Sequence, residues 1–111
     1  MDTSIIGMTV HGIVDRPLGS VHPAHHNIVY TINYGYIENI FAGDGEEQDA
    51  YILGTQEPLK TFTGVVIAIY HRINDNEDKW IIALDNKNYS DQEILDSICF
   101  QEQYFQGELY R

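Results

Sequence analysis

Two short acidic segments contain the side chains best suited to binding a metal ion. Residues 44–49 read DGEEQD, and Gly45 permits a sharp bend that turns several carboxylate oxygens inward. Residues 74–78 read NDNED and form a polar turn with three more acids. Because hard ions prefer carboxylate oxygens, these segments predict a Mg²⁺ site. The alternative interpretation of such acidic segments is a solvated surface.

The charge balance limits the expected partners. Six Lys and Arg stand against seventeen Asp and Glu, which gives a formal net charge of -11. Such a surface repels nucleic acid and anionic membranes, so neither is an expected partner. The sequence has no cationic start followed by a long apolar run, and no uninterrupted apolar stretch of about 18 residues. We therefore expect a cytoplasmic protein.

The length and composition predict one folded domain covering residues 1–111. Hydrophobic residues make up 43% of the 111 residues, which is enough to build a single core. The lone cysteine, Cys99, excludes an internal disulfide and a thiolate zinc site. Its expected role is packing in the core.

Segments rich in β-branched and aromatic residues predict a mainly β domain that presents the acids on its turns. The predicted strands are residues 4–14, 28–36, 51–53, 65–71 and 80–84, with Gly35 as a candidate bulge. The last two strands flank the acidic turn at 74–78 and predict a β-hairpin. Residues 90–93 read SDQE, the pattern of a reciprocal helix cap, so a helix is predicted from there to about residue 106.

The order of three motifs resembles the soluble family of inorganic pyrophosphatases over roughly residues 10–105. These motifs are NYGY at residues 33–36, the acidic loop with glycine at its second position, and the later acidic hairpin followed by an apolar strand. In that family three acids of the loop bind metals and position the attacking water. Asp44 and Asp49 match the outer two acids, and Glu46 matches the middle one, which lies beside the nucleophile.

The resemblance also assigns residues outside the acidic loop. Asp75 and Asp78 correspond to metal-binding acids on the hairpin, and Asp15 corresponds to the early acid of the family's cavity. Tyr34 and Tyr104 match tyrosines that line the phosphate pocket. Most of the family's basic residues have no counterpart here, so Arg16 and Lys79 are the substitutes expected at the phosphates, with Arg72, His22, His25 and His26 as further candidates.

The resemblance implies both a fold and a reaction. The implied fold is a five-stranded, closed barrel of the oligonucleotide-binding (OB) type with one C-terminal helix. The implied reaction is Mg²⁺-dependent hydrolysis of inorganic pyrophosphate, or of a related phosphoanhydride, to two phosphates by a metal-activated water. Glu46, Tyr34 and Asp15 are then the catalytic residues, and a homo-oligomer is compatible with the sequence.

The small number of basic residues bears on two alternative functions. Most of the family's phosphate-binding lysines have no counterpart, and strand alternation predicts that Lys79 points away from Asp78 while Trp80 takes the inward position. This favours, as an alternative, a non-catalytic module that binds divalent metal or a phosphate ligand. A barrel that stacks nucleic-acid bases on tyrosines is a third interpretation, opposed by the lack of a basic cluster. For the three loop histidines, a polar loop without a metal is the favoured interpretation.

Overall fold

Five strands of the computed structural model, which describes residues 1–111, close into a barrel. They are β1 (Thr9–Arg16), β2 (Asn33–Phe41), β3 (Glu47–Leu53), β4 (Thr61–Arg72) and β5 (Asp78–Ala83). The order around the barrel is β1-β2-β3-β5-β4, and β4 pairs with β1 to complete the ring. Only β3 and β5 are parallel; the other barrel pairs are antiparallel.

A helix and a sixth strand follow the barrel. In the cap of α1 (Asp91–Glu102), the Ser90 hydroxyl accepts the N–H of Glu93, and the Glu93 carboxylate accepts the N–H of Ser90. This reciprocal cap confirms the predicted start of the helix, and the closed barrel with one helix confirms the predicted OB-like fold. The helix ends before residue 106 because the chain turns back to form β6 (Gly107–Tyr110), an unpredicted strand that pairs with the end of β4.

Two hydrophobic clusters lie on opposite faces of the barrel wall. The inner cluster takes residues from every barrel strand, including Ala50 and Ile52 of β3. The outer cluster takes the alternate residues Tyr51 and Leu53, and Ile94 of α1 packs against them. The period of two along each strand therefore separates a closed interior from an outer face that the helix covers. Among the residues of the candidate site, Tyr34 and Lys79 lie on this outer face.

Several predicted boundaries differ from the structure. β1 begins at Thr9, after a short 3₁₀ turn at Thr3–Ile5, and β2 begins at Asn33, while Val29 forms only an isolated bridge with Val21. Cys99 is exposed, so its predicted packing in the core is wrong; Ile94 and Ile98 face the barrel and turn Cys99 outward. No helix has both the length and the apolar character needed to cross a bilayer.

Candidate active site

A cavity of about 450 Å³ lies between the outer face of the barrel, the loop at residues 17–32 and the chain that follows α1. We call it the cationic cavity because three of the six Lys and Arg side chains, Arg16, Arg72 and Lys79, line it. Two carboxylates, Asp15 and Asp49, lie beside them. The structure therefore gathers half of the chain's strong cations at one place, among them Arg16 and Lys79, the two basic residues expected at the phosphates. The expected lack of a basic cluster beside the tyrosines is wrong, because distant strands bring these cations together.

A bulge in β1 brings two consecutive residues, Asp15 and Arg16, into this cavity. Val14 pairs with Gly35 and Arg16 with Tyr34, so Asp15 is the extra residue on the β1 side. In a regular strand, neighbours point to opposite faces. The bulge was predicted at Gly35 in β2, but it lies in β1, on the strand that pairs with Gly35. A Cβ on Gly35 would lie 1.9 Å from the carbonyl oxygen of Ile13, so only glycine permits this pairing.

Lys79 projects its ammonium group into the cationic cavity. Its Nζ donates to Asp49 Oδ2 at 2.6 Å and to Tyr34 Oη at 3.1 Å, and its side chain is 4% exposed. As predicted, Lys79 and Asp78 lie on opposite faces of β5, and Trp80 packs in the inner cluster. Pointing away from Asp78 does not remove Lys79 from the candidate site, because the cationic cavity lies on the outer face of the barrel, where Lys79 is.

Arg72 is fixed at the same cavity by a buried ion pair. Its Nε and Nη2 donate to the two oxygens of Glu102 at 2.8 and 2.6 Å, and the ring centre of Phe105 lies 3.6 Å from the guanidinium carbon. Burial lowers the pKa of Arg72, but the bonds and charge of Glu102 outweigh it and raise the pKa above its ordinary value. Arg72 is therefore a permanent cation held in one orientation.

A buried network of hydrogen bonds links Arg16 to the helix end. Arg16 Nη1 donates to Tyr30 Oη at 2.6 Å, and Tyr30 Oη donates to Gln101 Oε1 at 2.7 Å. Gln101 Nε2 then donates to Tyr51 Oη at 2.6 Å, and Tyr51 donates to Glu102, the partner of Arg72. Sequence reasoning missed Gln101 and Glu102; their only signal is that two polar residues follow the apolar face of α1. The network connects Arg16 to Arg72 through the end of α1.

Burial raises the pKa of two further groups of the cavity. Asp15 is an exposed residue, and partial burial of its carboxyl group raises the pKa of that group, opposed by the charge of Arg16. For Tyr34, burial and then the Asp49 charge raise the pKa well above its ordinary value, so the hydroxyl keeps its proton. Because Tyr34 Oη already accepts a bond from Lys79, its own proton is available to a ligand.

A second cavity, of about 520 Å³, lies on the other side of Asp49. We call it the acidic cavity because six carboxylates line it: Asp44, Glu47, Asp49, Asp75, Glu77 and Asp78. The turn at Gly45 and the turn at Asn76 thus face one hollow. Glu46 lies outside both cavities on the exposed turn, where its backbone N–H donates to Asp44 Oδ1 at 3.0 Å. Four of the five residues predicted to hold metal therefore share a cavity.

The acidic cavity contains the oxygen donors that suit Mg²⁺. No three His, Cys, Asp or Glu side chains are close enough together to hold an ion as arranged. Instead, Asp75 pairs with Arg72 at 3.1 Å and Asp49 pairs with Lys79, and Asp78 Oδ1 is hydrogen-bonded to His71 Nδ1 at 2.6 Å. The carboxylate oxygens of this cavity are suitable ligands for a hard cation. The basic side chains paired with them would compete with a metal ion for these oxygens.

Solved structures share this fold. An inorganic pyrophosphatase from Ehrlichia chaffeensis aligns with 99% of this chain and 92% of its own, with a TM-score of 0.71 and 14% identity. Those from Helicobacter pylori and Thermus thermophilus cover 100% of this chain and 89% and 84% of theirs, with TM-scores of 0.64 and 0.63 and identities of 12% and 16%. The chain has the inorganic pyrophosphatase fold. No protein-family model matches the sequence, and no curated protein is significantly similar to it.

The remaining predicted residues of this pyrophosphatase fold lie at the rim of the cationic cavity, in its wall or outside it. Tyr104 follows α1 rather than belonging to it, is 54% exposed, and lines the rim of the cationic cavity. Tyr30 and Tyr34 are buried, so their faces are not available as a platform for stacking bases. His22 and His25 line the cavity, whereas His26 does not.

Proposed function

We propose that the chain binds inorganic pyrophosphate in the cationic cavity and hydrolyses it to two phosphates. The observation that carries this proposal is the convergence of Arg16, Arg72 and Lys79 on one cavity in a chain of net charge -11. A polyanion is the ligand that such a site selects, because charge-assisted hydrogen bonds to phosphate oxygens are strong. The inorganic pyrophosphatase fold supports this choice of anion.

Hydrolysis requires a water molecule and a proton acceptor. The water oxygen bonds to one phosphorus atom, the bond from that phosphorus to the bridging oxygen breaks, and the bridging oxygen leaves with the second phosphate. The proton lost by the water passes to a carboxylate. Asp15 is the best supported acceptor because it lines the cavity and burial raises the pKa of its carboxyl group, which makes it a stronger base. Tyr34 and the three cations hold the phosphoryl oxygens.

The acidic cavity is the place where Mg²⁺ would be held. The residues that would hold it are Asp49, which borders both cavities, with Asp44, Asp75 and Asp78. When bound, Mg²⁺ neutralises charge on phosphoryl oxygens and lowers the pKa of a coordinated water. Glu46 remains the base expected from the family resemblance, and it is a weaker candidate than Asp15 because it lies outside both cavities, whereas Asp15 lines the cationic cavity.

The experiment is an assay of phosphate release from pyrophosphate with MgCl₂. We expect turnover by the unmodified chain and a loss of about 100-fold in Lys79→Met, because a preorganised donor to the phosphoryl oxygens is removed. Lys60→Met is the matched control, since Lys60 is exposed and lies outside both cavities. Absence of release by the unmodified chain, or equal rates for the two variants, would contradict the proposal.

A non-catalytic module that binds a phosphate ligand is the second candidate function. It is favoured by the ion pairs of Asp49 with Lys79 and of Asp75 with Arg72, and by the hydrogen bond between Asp78 and His71, which occupy carboxylates that a metal requires. Calorimetric titration with pyrophosphate in EDTA distinguishes the two functions. Tight binding without metal, together with no phosphate release in MgCl₂, supports the module and excludes the enzyme.

A further inference from the structure

The loop at residues 17–32 holds His22 in one orientation. The Nδ1 atom of His22 accepts the backbone N–H groups of Ala24 at 3.0 Å and His25 at 3.2 Å. A ring nitrogen that accepts hydrogen bonds carries no proton, so the proton of neutral His22 lies on Nε2. The loop therefore fixes both the direction of the imidazole ring and its tautomer.

The donor edge of His22 belongs to the cationic cavity. The ring lines that cavity, and because Nδ1 faces its own loop, the opposite edge with Nε2 is the one available to a ligand. The ring lies nearly parallel to that of Tyr30, at 11° and 6.2 Å between centres. Tyr30 also binds Arg16 through its hydroxyl. One tyrosine thus supports two neighbouring donors, Arg16 and His22.

We propose that His22 is a phosphate-binding residue of the cationic cavity and donates its neutral Nε2–H to a phosphoryl oxygen beside Arg16. The identity of the ligand as a diphosphate rests on the proposed function. The sequence makes His22 one of several basic candidates for the phosphates, and a histidine usually binds phosphate as a cation. Here the charged form is disfavoured, because a proton on Nδ1 would face two N–H donors.

The charges around His22 also oppose its protonation. Arg16 faces it from β1 and His25 from the loop, and the acids that line the same cavity are Asp15 and Asp49. Burial, then Arg16, then His25 lower the pKa of His22 below its ordinary value of 6.5. Protonation at low pH therefore breaks the loop contacts. The contribution of His22 to anion binding should fall on acidification, opposite to that of an ordinary phosphate-binding histidine.

The test uses two substitutions that separate the loop role from the ligand role. In His22→Asn the side-chain oxygen still accepts the N–H groups two and three residues on, as in an Asx turn, but the cavity donor is lost. In His22→Ala both are lost. His26→Asn is the matched control, because His26 is exposed and lies outside the cavity.

Affinity for methylenediphosphonate, which cannot be hydrolysed, is measured by calorimetry in EDTA. At pH 8 we expect His22→Asn to bind about tenfold more weakly than the unmodified chain, and His26→Asn equally well. At pH 5.5 the ratio of the dissociation constant of His22→Asn to that of the unmodified chain should approach one. Both proteins are compared at the same pH, so the titration of the ligand affects them equally. Imidazole ¹⁵N NMR at pH 8 should show the Nε2–H tautomer.

Three results would overturn the inference. They are no binding by the unmodified chain, equal affinities of His22→Asn and the unmodified chain at pH 8, and a larger difference in affinity between these two proteins at pH 5.5 than at pH 8. The last result would show that His22 binds as a cation. These outcomes are separable from the proposed function. If the diphosphonate binds through His22 while pyrophosphate is not hydrolysed in MgCl₂, the inference stands and the enzyme proposal fails.

Discussion

Lys79 and Asp49 form an ion pair at the boundary of the two cavities, with 2.6 Å between Nζ and Oδ2. The ammonium group also lies 3.9 Å from an oxygen of Glu77, so one protein cation neutralises two acids of the proposed metal site. We predict that Lys79→Met binds Mg²⁺ or Mn²⁺ about tenfold more tightly, because a competing positive charge is removed. Calorimetric titration measures this. Unchanged affinity would show that Asp49 takes no part in metal binding.

The position of Glu46 leads to a comparison of two acids. Since Glu46 is exposed and Asp49 borders both cavities, we expect Asp49→Asn to lose at least about 100-fold in phosphate release and Glu46→Gln to lose much less. The assay is the rate with pyrophosphate and MgCl₂. Complete loss in Glu46→Gln would instead support the role that the family resemblance implies for Glu46.

The buried pair of Arg72 and Glu102 predicts a large effect on stability. Glu102→Gln removes the charge that compensates a cation with 6% side-chain exposure, so the free energy of unfolding should fall by about 3 kcal/mol. Chemical denaturation gives this value. Asp91→Asn is the control, because its pair with Arg111 is exposed and should contribute less than about 1 kcal/mol. Similar losses in both variants would contradict the assigned role of the buried pair.

Gly35 is predicted to tolerate no side chain. In Gly35→Ala the new Cβ would lie 1.9 Å from the Ile13 carbonyl oxygen, so the β1–β2 pairing must shift, at a cost of about 3 kcal/mol. The shift should also weaken diphosphonate binding, since the bulge positions Asp15 and Arg16. Gly43→Ala serves as the control because nothing lies within 4 Å of its Cβ position. Thermal unfolding with equal midpoints for both variants would refute the assignment.

Asp15 should make stability depend on pH. Burial raises the pKa of Asp15 in the folded state above its ordinary value of 3.8, so folding favours the protonated acid. The resulting stabilisation is fully present below pH 3.8 and is lost as pH rises through the folded-state value. Asp15→Asn should therefore unfold at a higher temperature than the unmodified chain at pH 7, with the difference shrinking on acidification, and should release phosphate more slowly. The exposed Glu38→Gln should show neither effect.

The local signals in the sequence predicted local structure well. The SDQE cap located the start of α1, and the acidic hairpin lies where the apolar segments around it predicted. Local signals could not predict how the cations are arranged around the cavity, because that arrangement depends on contacts between residues far apart in the sequence. The bulge turns both Asp15 and Arg16 to one face, and Glu102 orients Arg72 from the far end of the chain. Phe105, which follows α1, supports Arg72 with its ring.

Asp49 borders both cavities and is paired with Lys79 across their common wall. If the two cavities bind as proposed, a divalent ion that drew Asp49 away from Lys79 would free the ammonium group to face the anion, and an anion that engaged Lys79 would free Asp49 for the ion. Each ligand would then increase the affinity for the other by the same factor, because linkage between two binding equilibria is reciprocal. The proposed function therefore implies that cation and anion binding are coupled through this one ion pair.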